Sequence, residues 1–294
     1  AQHAIAMNSA TSALHVACMA LGLGPGDLLW TTPNTFVASA NAALYCGAAV
    51  DFVDIDEQTY NLSVIALADK LAAARKIGRL PKIVMPVHFA GQSCDMREID
   101  RLSKEYGFLV VEDASHAIGG RYLDKPVGNC AFSSIAVFSF HPVKIVTTAE
   151  GGMAVTNDAR IAERMRMLRS HGTTRDPERM QGASHGPWYY EQVMLGFNYR
   201  MTDIHAALGS SQMTRIDGYV RRRHEIAKRY DAALADLPLI APRQDSDSYS
   251  AYHLYPVRID ARRTQHTRQE VFALIRARDI GVNVHYIPVH TQPY

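Results

Sequence analysis

The sequence predicts an α/β protein organised around a doubly wound sheet. Three observations point to it. Short apolar, β-rich runs alternate with helical segments through the first half of the chain. Gly and Pro clusters break these runs at the spacing of strand and helix ends. The 294 residues, 47% of them hydrophobic and 20% charged, suffice for one large α/β domain, or for a large one with a smaller appendage.

Each element follows from its local chemistry. From Ser12 to Leu21 the stretch SALHVACMAL is apolar nearly all round, and Gly22, Gly24, Pro25 and Gly26 follow as stop signals, so a buried helix is expected. Its N-terminus falls among Asn8, Ser9, Ala10 and Thr11, where small hydroxyl residues can cap free amides and a phosphate can dock. GLGPGD resembles a dinucleotide fingerprint but follows a helix and lacks the third glycine, so it reads as a helix stop. A second helix is expected from about Thr35 to Tyr45. AAVDFVDID and KIVMPVHFAG are short β-rich runs, MREIDRLSKEYG has helical spacing, and FLVVEDASHA returns to strand.

SSIAVFSF is an apolar strand, and GGMAVTND begins a second one near Met153, with HPVKIVTTAEGG between them. Ala159 to Ser170 is helical, and Thr173 to Gln192 is a polar, Gly-containing excursion expected to be irregular. One long helix is expected from Thr202 to Leu234, with Arg221, Arg222 and Arg223 on a solvated face. Beyond Pro238, HLYPVRI and VNVHYIP read as short strands flanking a helix from about Arg268 to Arg278. The expected organisation is a large part over residues 1–215 and a small α+β part over 216–294.

Composition narrows the function. Lys and Arg number 31 against 29 Asp and Glu, a formal charge of +2, which offers no basic field for nucleic acid. Cys18, Cys46, Cys94 and Cys130 lie too far apart for structural zinc or a redox dithiol, and no metal site or disulfide scaffold is expected. Polar residues interrupt every apolar run before the roughly 18 residues that a membrane helix needs. No secretory signal is visible, and the expectation is a soluble, reduced, cytoplasmic protein without membrane contact.

Lys144 stands among apolar neighbours between two strands. A desolvated lysine loses proton affinity and becomes an amine nucleophile toward an aldehyde or ketone, although a lone lysine there also reads as a snorkelling surface residue. Asp113 sits at the carboxyl end of an apolar strand, where α/β sheets place their ligand groups. It can pair with a protonated ring nitrogen, or serve as a helix cap or metal ligand. Glu112 points to the opposite face. His116 can reach the same ring or be a satisfied core histidine.

Five motifs in order, TTPNTFVASAN, EDASHA, SFHPVK, TTAEGG and GFNYRMTDIHAALG, resemble the pyridoxal-phosphate-dependent sugar aminotransferases of nucleotide-sugar pathways, over essentially the whole chain. The resemblance implies an aspartate-aminotransferase-like fold with a mixed, mostly parallel seven-stranded sheet, and pyridoxal 5'-phosphate carried on Lys144 with Asp113 at the pyridinium nitrogen. It also implies Thr11, Ser12 and Ser139 at the cofactor phosphate, Phe36 on the ring face, and His116 near the phenolic oxygen. Asn198 is implied to reach the phosphate of a neighbouring subunit, so that a homodimer shares its sites, while Asn283, Val284, His285 and Tyr286 meet the sugar nucleotide. NSATSALH, SFHPVK, TTAEGG and MLGFNYR are most similar to members that move the amino group of L-glutamate to C4 of a UDP-4-keto-6-deoxy-N-acetyl hexose, toward pseudaminic acid. A dehydratase of the same fold typically replaces the lysine with histidine, and a non-catalytic member has no need of the intact Lys144, Asp113 and Ser139. Family members begin some tens of residues earlier and continue past HYIP, so the sequence is expected to be cut short at both ends.

Overall fold

The computed structural model describes residues 1–294. Seven strands form the central sheet: β1 (His3–Met7), β2 (Leu28–Thr31), β3 (Ala49–Phe52), β4 (Ile83–Met85), β5 (Leu109–Asp113), β6 (Ile135–Ser139) and β7 (Gly152–Thr156). Their order across the sheet is β1-β7-β6-β5-β4-β2-β3. β7 runs antiparallel to both β1 and β6, and the other pairings are parallel. The expected mixed, mostly parallel seven-stranded sheet is therefore present.

Helices cover both faces. They are α1 (Ala10–Ala20), α2 (Val37–Tyr45), α3 (Val64–Lys76), α4 (Met96–Tyr106) and α5 (Ala159–Arg169). β5 shows the division of the core: Val111 packs with Leu14, Ala42 and Met165 under α1, α2 and α5, whereas Val110 packs with Leu71 and Ile99 under α3 and α4. Side chains alternate along a strand, so Asp113 shares the face of Val111 and Glu112 that of Val110. β4 and β6 are buried along their whole length, as strands covered on both faces must be.

The helix ends follow their caps. Ser9 accepts the Ser12 amide and starts α1. Asp95 caps α4, whose Met96, Ile99 and Leu102 make one buried stripe, and Gly107 ends it in the left-handed region at φ 82°.

The structure changes several expectations. The single long helix is two, α6 (Asp203–Met213) and α7 (Ile216–Leu234). Between them Thr214 turns its hydroxyl back onto the Ser211 carbonyl, and Arg215 leaves helical geometry at ψ 2°. The arginine patch is not wholly solvated. Arg223 is half-buried and donates to the carbonyls of Tyr252 and His253, while Arg222 pairs with Glu225. VNVHYIP forms no strand, and HLYPVRI contributes only Arg258–Ile259, paired with Leu239–Ile240; the last helix is α8 (Arg268–Arg276). β1, β2 and α3 were not anticipated: two are short strands, and α3 buries only Leu67, Leu71 and Ala74. The 173–192 excursion is irregular as expected, but a ladder pairing Thr173 with Gln192 and Thr174 with Glu191 closes its base. No helix is long and apolar enough to cross a membrane.

Candidate active site

The site lies where β5 and β6, neighbouring parallel strands, run out at their carboxyl ends. Asp113 is in register with Val137, and Ser139 lies two residues beyond it. The chain past Ser139 loops back to β7, and on this loop the Lys144 amide bonds to the His141 carbonyl at 2.9 Å. Ile145 and Val146 are buried beneath it. Lys144 itself is half-buried; burial pulls its ammonium down to about 8, and the opposing attraction of Asp113 does not restore it. The burial of Ile145 and Val146 beneath it and the half-buried side chain set Lys144 apart from a fully exposed surface lysine.

The Asp113 carboxylate is buried and oriented from both sides. Ser39 donates to Oδ2 at 2.7 Å, while Ser115 donates to Oδ1 at 2.6 Å through its hydroxyl and 3.2 Å through its amide. Ser39 in turn lies 2.8 Å from the Thr35 hydroxyl. Thr35, Ser39 and Ser115 were missed as site residues. Two of them lie inside TTPNTFVASAN, so the signal was the motif itself. Phe36 caps α2 from an extended conformation and is 60% exposed, which rules out a core role and leaves its ring free to stack. Behind the strand, Glu112 points away as expected: His88 Nε2 donates to it at 2.7 Å, and Ser133 also donates to it.

Ser139 and the start of α1 come together through one glycine. Gly152 is in register with Ser139 on one side and Met7 on the other, and a Cβ at Gly152 would collide with the backbone of Ser9 and Ala10. The N-terminus of α1 thereby sits against the end of β6. Its first amides have no intrahelical acceptor, and the hydroxyls of Thr11 and Ser12 lie in its first turn, Ser12 also 3.0 Å from Ser9 Oγ. This cradle can take a phosphate.

His116 is buried. Its Nδ1 accepts from the Ala90 amide at 3.3 Å, and its Nε2 lies 3.2 Å from the Tyr286 hydroxyl. His253, missed in the sequence, packs against it at 4.5 Å between ring centroids. Burial, followed by the Lys144 charge, lowers His116, His253 (to about 3) and His285. Asn34 accepts the Tyr286 amide at 3.1 Å and so ties the C-terminal segment to the loop before Phe36. Asn283 is exposed and caps its own neighbour, Val284, which is half-buried. Asn198 is also exposed, bridged to Ser170 and without a side-chain hydrogen bond in the chain, so the structure does not bring it to Lys144 from within the same subunit.

A desolvated amine, a doubly anchored carboxylate and a phosphate cradle at the carboxyl ends of central strands together fit pyridoxal phosphate in a transferase of the aspartate-aminotransferase-like fold. The chain belongs to the DegT/DnrJ/EryC1/StrS aminotransferase family, whose profile matches residues 1–294. It is 40% identical to the spore coat polysaccharide biosynthesis protein SpsC of Bacillus subtilis, over 100% of this chain and 74% of that protein. Among solved structures, Helicobacter pylori PseC, an aminotransferase involved in the biosynthesis of pseudoaminic acid, superposes with a TM-score of 0.88 at 31% identity, over 100% of this chain and 75% of PseC. Spr1654 of Streptococcus pneumoniae, in its PLP form, gives a TM-score of 0.84 at 27% identity, over 99% of this chain and 74% of that one. The protein is a PLP-dependent sugar aminotransferase of this family.

Proposed function

We propose that the protein moves the amino group of L-glutamate to C4 of a UDP-4-keto-6-deoxy-N-acetyl hexose, the product being UDP-4-amino-4,6-dideoxy-N-acetyl-β-L-altrosamine for pseudaminic acid. The observation that carries the chemistry is a lowered-pKa amine, Lys144, on the loop that follows β6, within electrostatic reach of the anchored Asp113 at the end of the adjacent strand β5. Similarity to PseC supports the choice of sugar.

Bound pyridoxal phosphate supplies an electron sink that lets a C–H bond next to nitrogen break. Lys144 holds the cofactor through its ε-amine and, when free, moves one proton at C4 of the sugar as general base and acid. Asp113 holds the proton on the ring nitrogen, and Ser39 and Ser115 fix that carboxylate in place. Phe36 covers the ring face and His116 lies by the phenolic oxygen. Thr11, Ser12 and Ser139 bind the phosphate. Asn283, Val284, His285 and Tyr286 form the sugar-nucleotide side, carried by the smaller part of the chain, residues 216–294.

The site is completed by a second copy of the chain in a cytoplasmic homodimer. α6 buries none of its residues, and the large apolar residues Leu195 and Ile204, on either side of Asn198 in the sequence, are 73% and 82% exposed, apolar surface that a partner would cover. In that dimer Asn198 reaches the partner's phosphate site.

The test is direct. Purified protein should be yellow, absorb near ~420 nm, and bleach on addition of L-glutamate. Incubation with UDP- and dTDP-4-keto-6-deoxy sugars, read by mass and NMR, should give the 4-amino product from the UDP-N-acetyl sugar; no bleaching, or amination of dTDP sugars alone, contradicts the proposal.

A further inference from the structure

We infer that Gly209 is a positioning residue for Lys144: its missing side chain lets α6 close on Thr148, and Thr148 fixes the far end of the loop that carries the amine. This rests on the role proposed above for Lys144 and extends it to a residue outside the site.

The Lys144 loop is closed on itself. The Thr148 amide bonds to the Phe140 carbonyl at 3.0 Å, and the Thr147 hydroxyl donates to the same oxygen at 3.1 Å. The Phe140 amide in turn donates to the Gly151 carbonyl at 2.9 Å. Ile145 and Val146 share one buried apolar cluster with Phe140, and Met201, just before α6, packs against that cluster. A shift of Thr148 is thus passed to Phe140 and Val146, and with them to Lys144.

Thr148 has little room to move. It is buried, its hydroxyl donates to the Glu150 carbonyl at 2.6 Å, and a Cβ at Gly151 would collide with its side chain. α6 closes the remaining side. His205, Gly209 and Gln212 are half-buried at the spacing of one helix face, while Ile204 and Leu208 are exposed. A Cβ at Gly209 would lie 2.7 Å from Thr148 Cγ2, the only atom beyond its own helix within 4 Å.

Backbone conformation does not explain this glycine. Gly209 is not in the left-handed region, and glycine inside a helix costs about 0.5–1 kcal/mol relative to alanine. Space does explain it, since alanine would suit the helix better but for Thr148. Gly218, inside α7, is the contrast: nothing lies within 4 Å of a Cβ there. Relaxing 2.7 Å to an ordinary carbon–carbon contact of about 3.5–4 Å displaces Thr148 by about 1 Å. Its methyl cannot swing aside freely, because a β-branched side chain is stiff and the bond to Glu150 holds the hydroxyl.

The experiment follows the capture of pyridoxal phosphate by apoenzyme, by stopped-flow absorbance across pH. Misplacing a reacting group by about 1 Å costs up to about a hundredfold, so Gly209→Ala should slow capture about ten- to a hundredfold. It should also raise the pH midpoint of capture, because a displaced loop admits water to the amine. Adding Thr148→Ser to Gly209→Ala removes the colliding methyl, keeps the hydroxyl, and should restore both rate and midpoint. Gly218→Ala should change neither. Capture by Gly209→Ala at the unmodified rate overturns the inference, as does slower capture with an unmoved midpoint, which a merely weakened helix would give. A double variant that stays slow or does not fold, or equal slowing by Gly218→Ala, also overturns it. Failure of the Lys144 reading is seen separately, as borohydride labelling of another lysine in the unmodified enzyme.

Discussion

The Ser39 hydroxyl, on α2, donates to Asp113 Oδ2 at the end of β5 across 2.7 Å. With Ser115 on the other oxygen, it leaves the carboxylate a single orientation. Removing one donor from a buried carboxylate costs about 1.5–3 kcal/mol, so Ser39→Ala should weaken cofactor binding roughly ten- to a hundredfold, measured by titrating apoenzyme with pyridoxal phosphate. Asp113→Asn removes the charge that holds the ring proton and should lower kcat by several powers of ten. Near-normal turnover of Asp113→Asn removes Asp113 from the mechanism.

The lowered Lys144 pKa carries a pH signature. Only the neutral amine attacks an aldehyde, and the ammonium gives up its proton at about 8 because burial disfavours its charge. Capture of pyridoxal phosphate by apoenzyme should therefore accelerate as pH rises through about 8 and level off above it. Stopped-flow absorbance reads this directly. A rate still climbing near pH ~10, as for a lysine in water, contradicts the desolvated site.

Gly152 joins β7 to the start of α1. A methyl group there would collide with the Ser9 and Ala10 backbone, so Gly152→Ala must push the helix N-terminus away from Ser139. Overpacking of this kind costs about 1–3 kcal/mol. The variant should melt at lower temperature and also lose phosphate affinity, measured by calorimetry and by cofactor release on dialysis; lower stability with unchanged cofactor retention rejects the cradle.

Asn198 tests the shared site. An Asn198→Ala subunit retains its lysine, and a Lys144→Ala subunit retains its asparagine. In a mixed dimer, one of the two sites then has both groups. Activity of the mixture should exceed that of either variant alone, and no gain after subunit exchange argues against a residue acting across the interface.

The parts of the site legible in the sequence were those with local context. Lys144 stands out because apolar residues flank it, and Asp113 because an apolar strand ends at it. The same holds for β5, β6 and α4, whose patterns are internally consistent. What escaped depends on contacts distant in sequence. Ser39 matters only because α2 packs above β5, and His253 only because the 250–254 segment crosses the Ala90 turn. β1 was unreadable because its five residues gain strand character from pairing with β7. The break between α6 and α7 escaped because Thr214 and Arg215 are ordinary helix residues, with no Gly or Pro to mark a stop.

The central claim is a covalent bond between pyridoxal phosphate and one amine. Borohydride reduction of the yellow holoenzyme, followed by proteolysis and peptide mass mapping, measures it most directly. The account predicts a pyridoxyl group on Lys144 and its absence from Lys144→Ala; a label on another lysine, or an unlabelled Lys144 in cofactor-bearing protein, contradicts it.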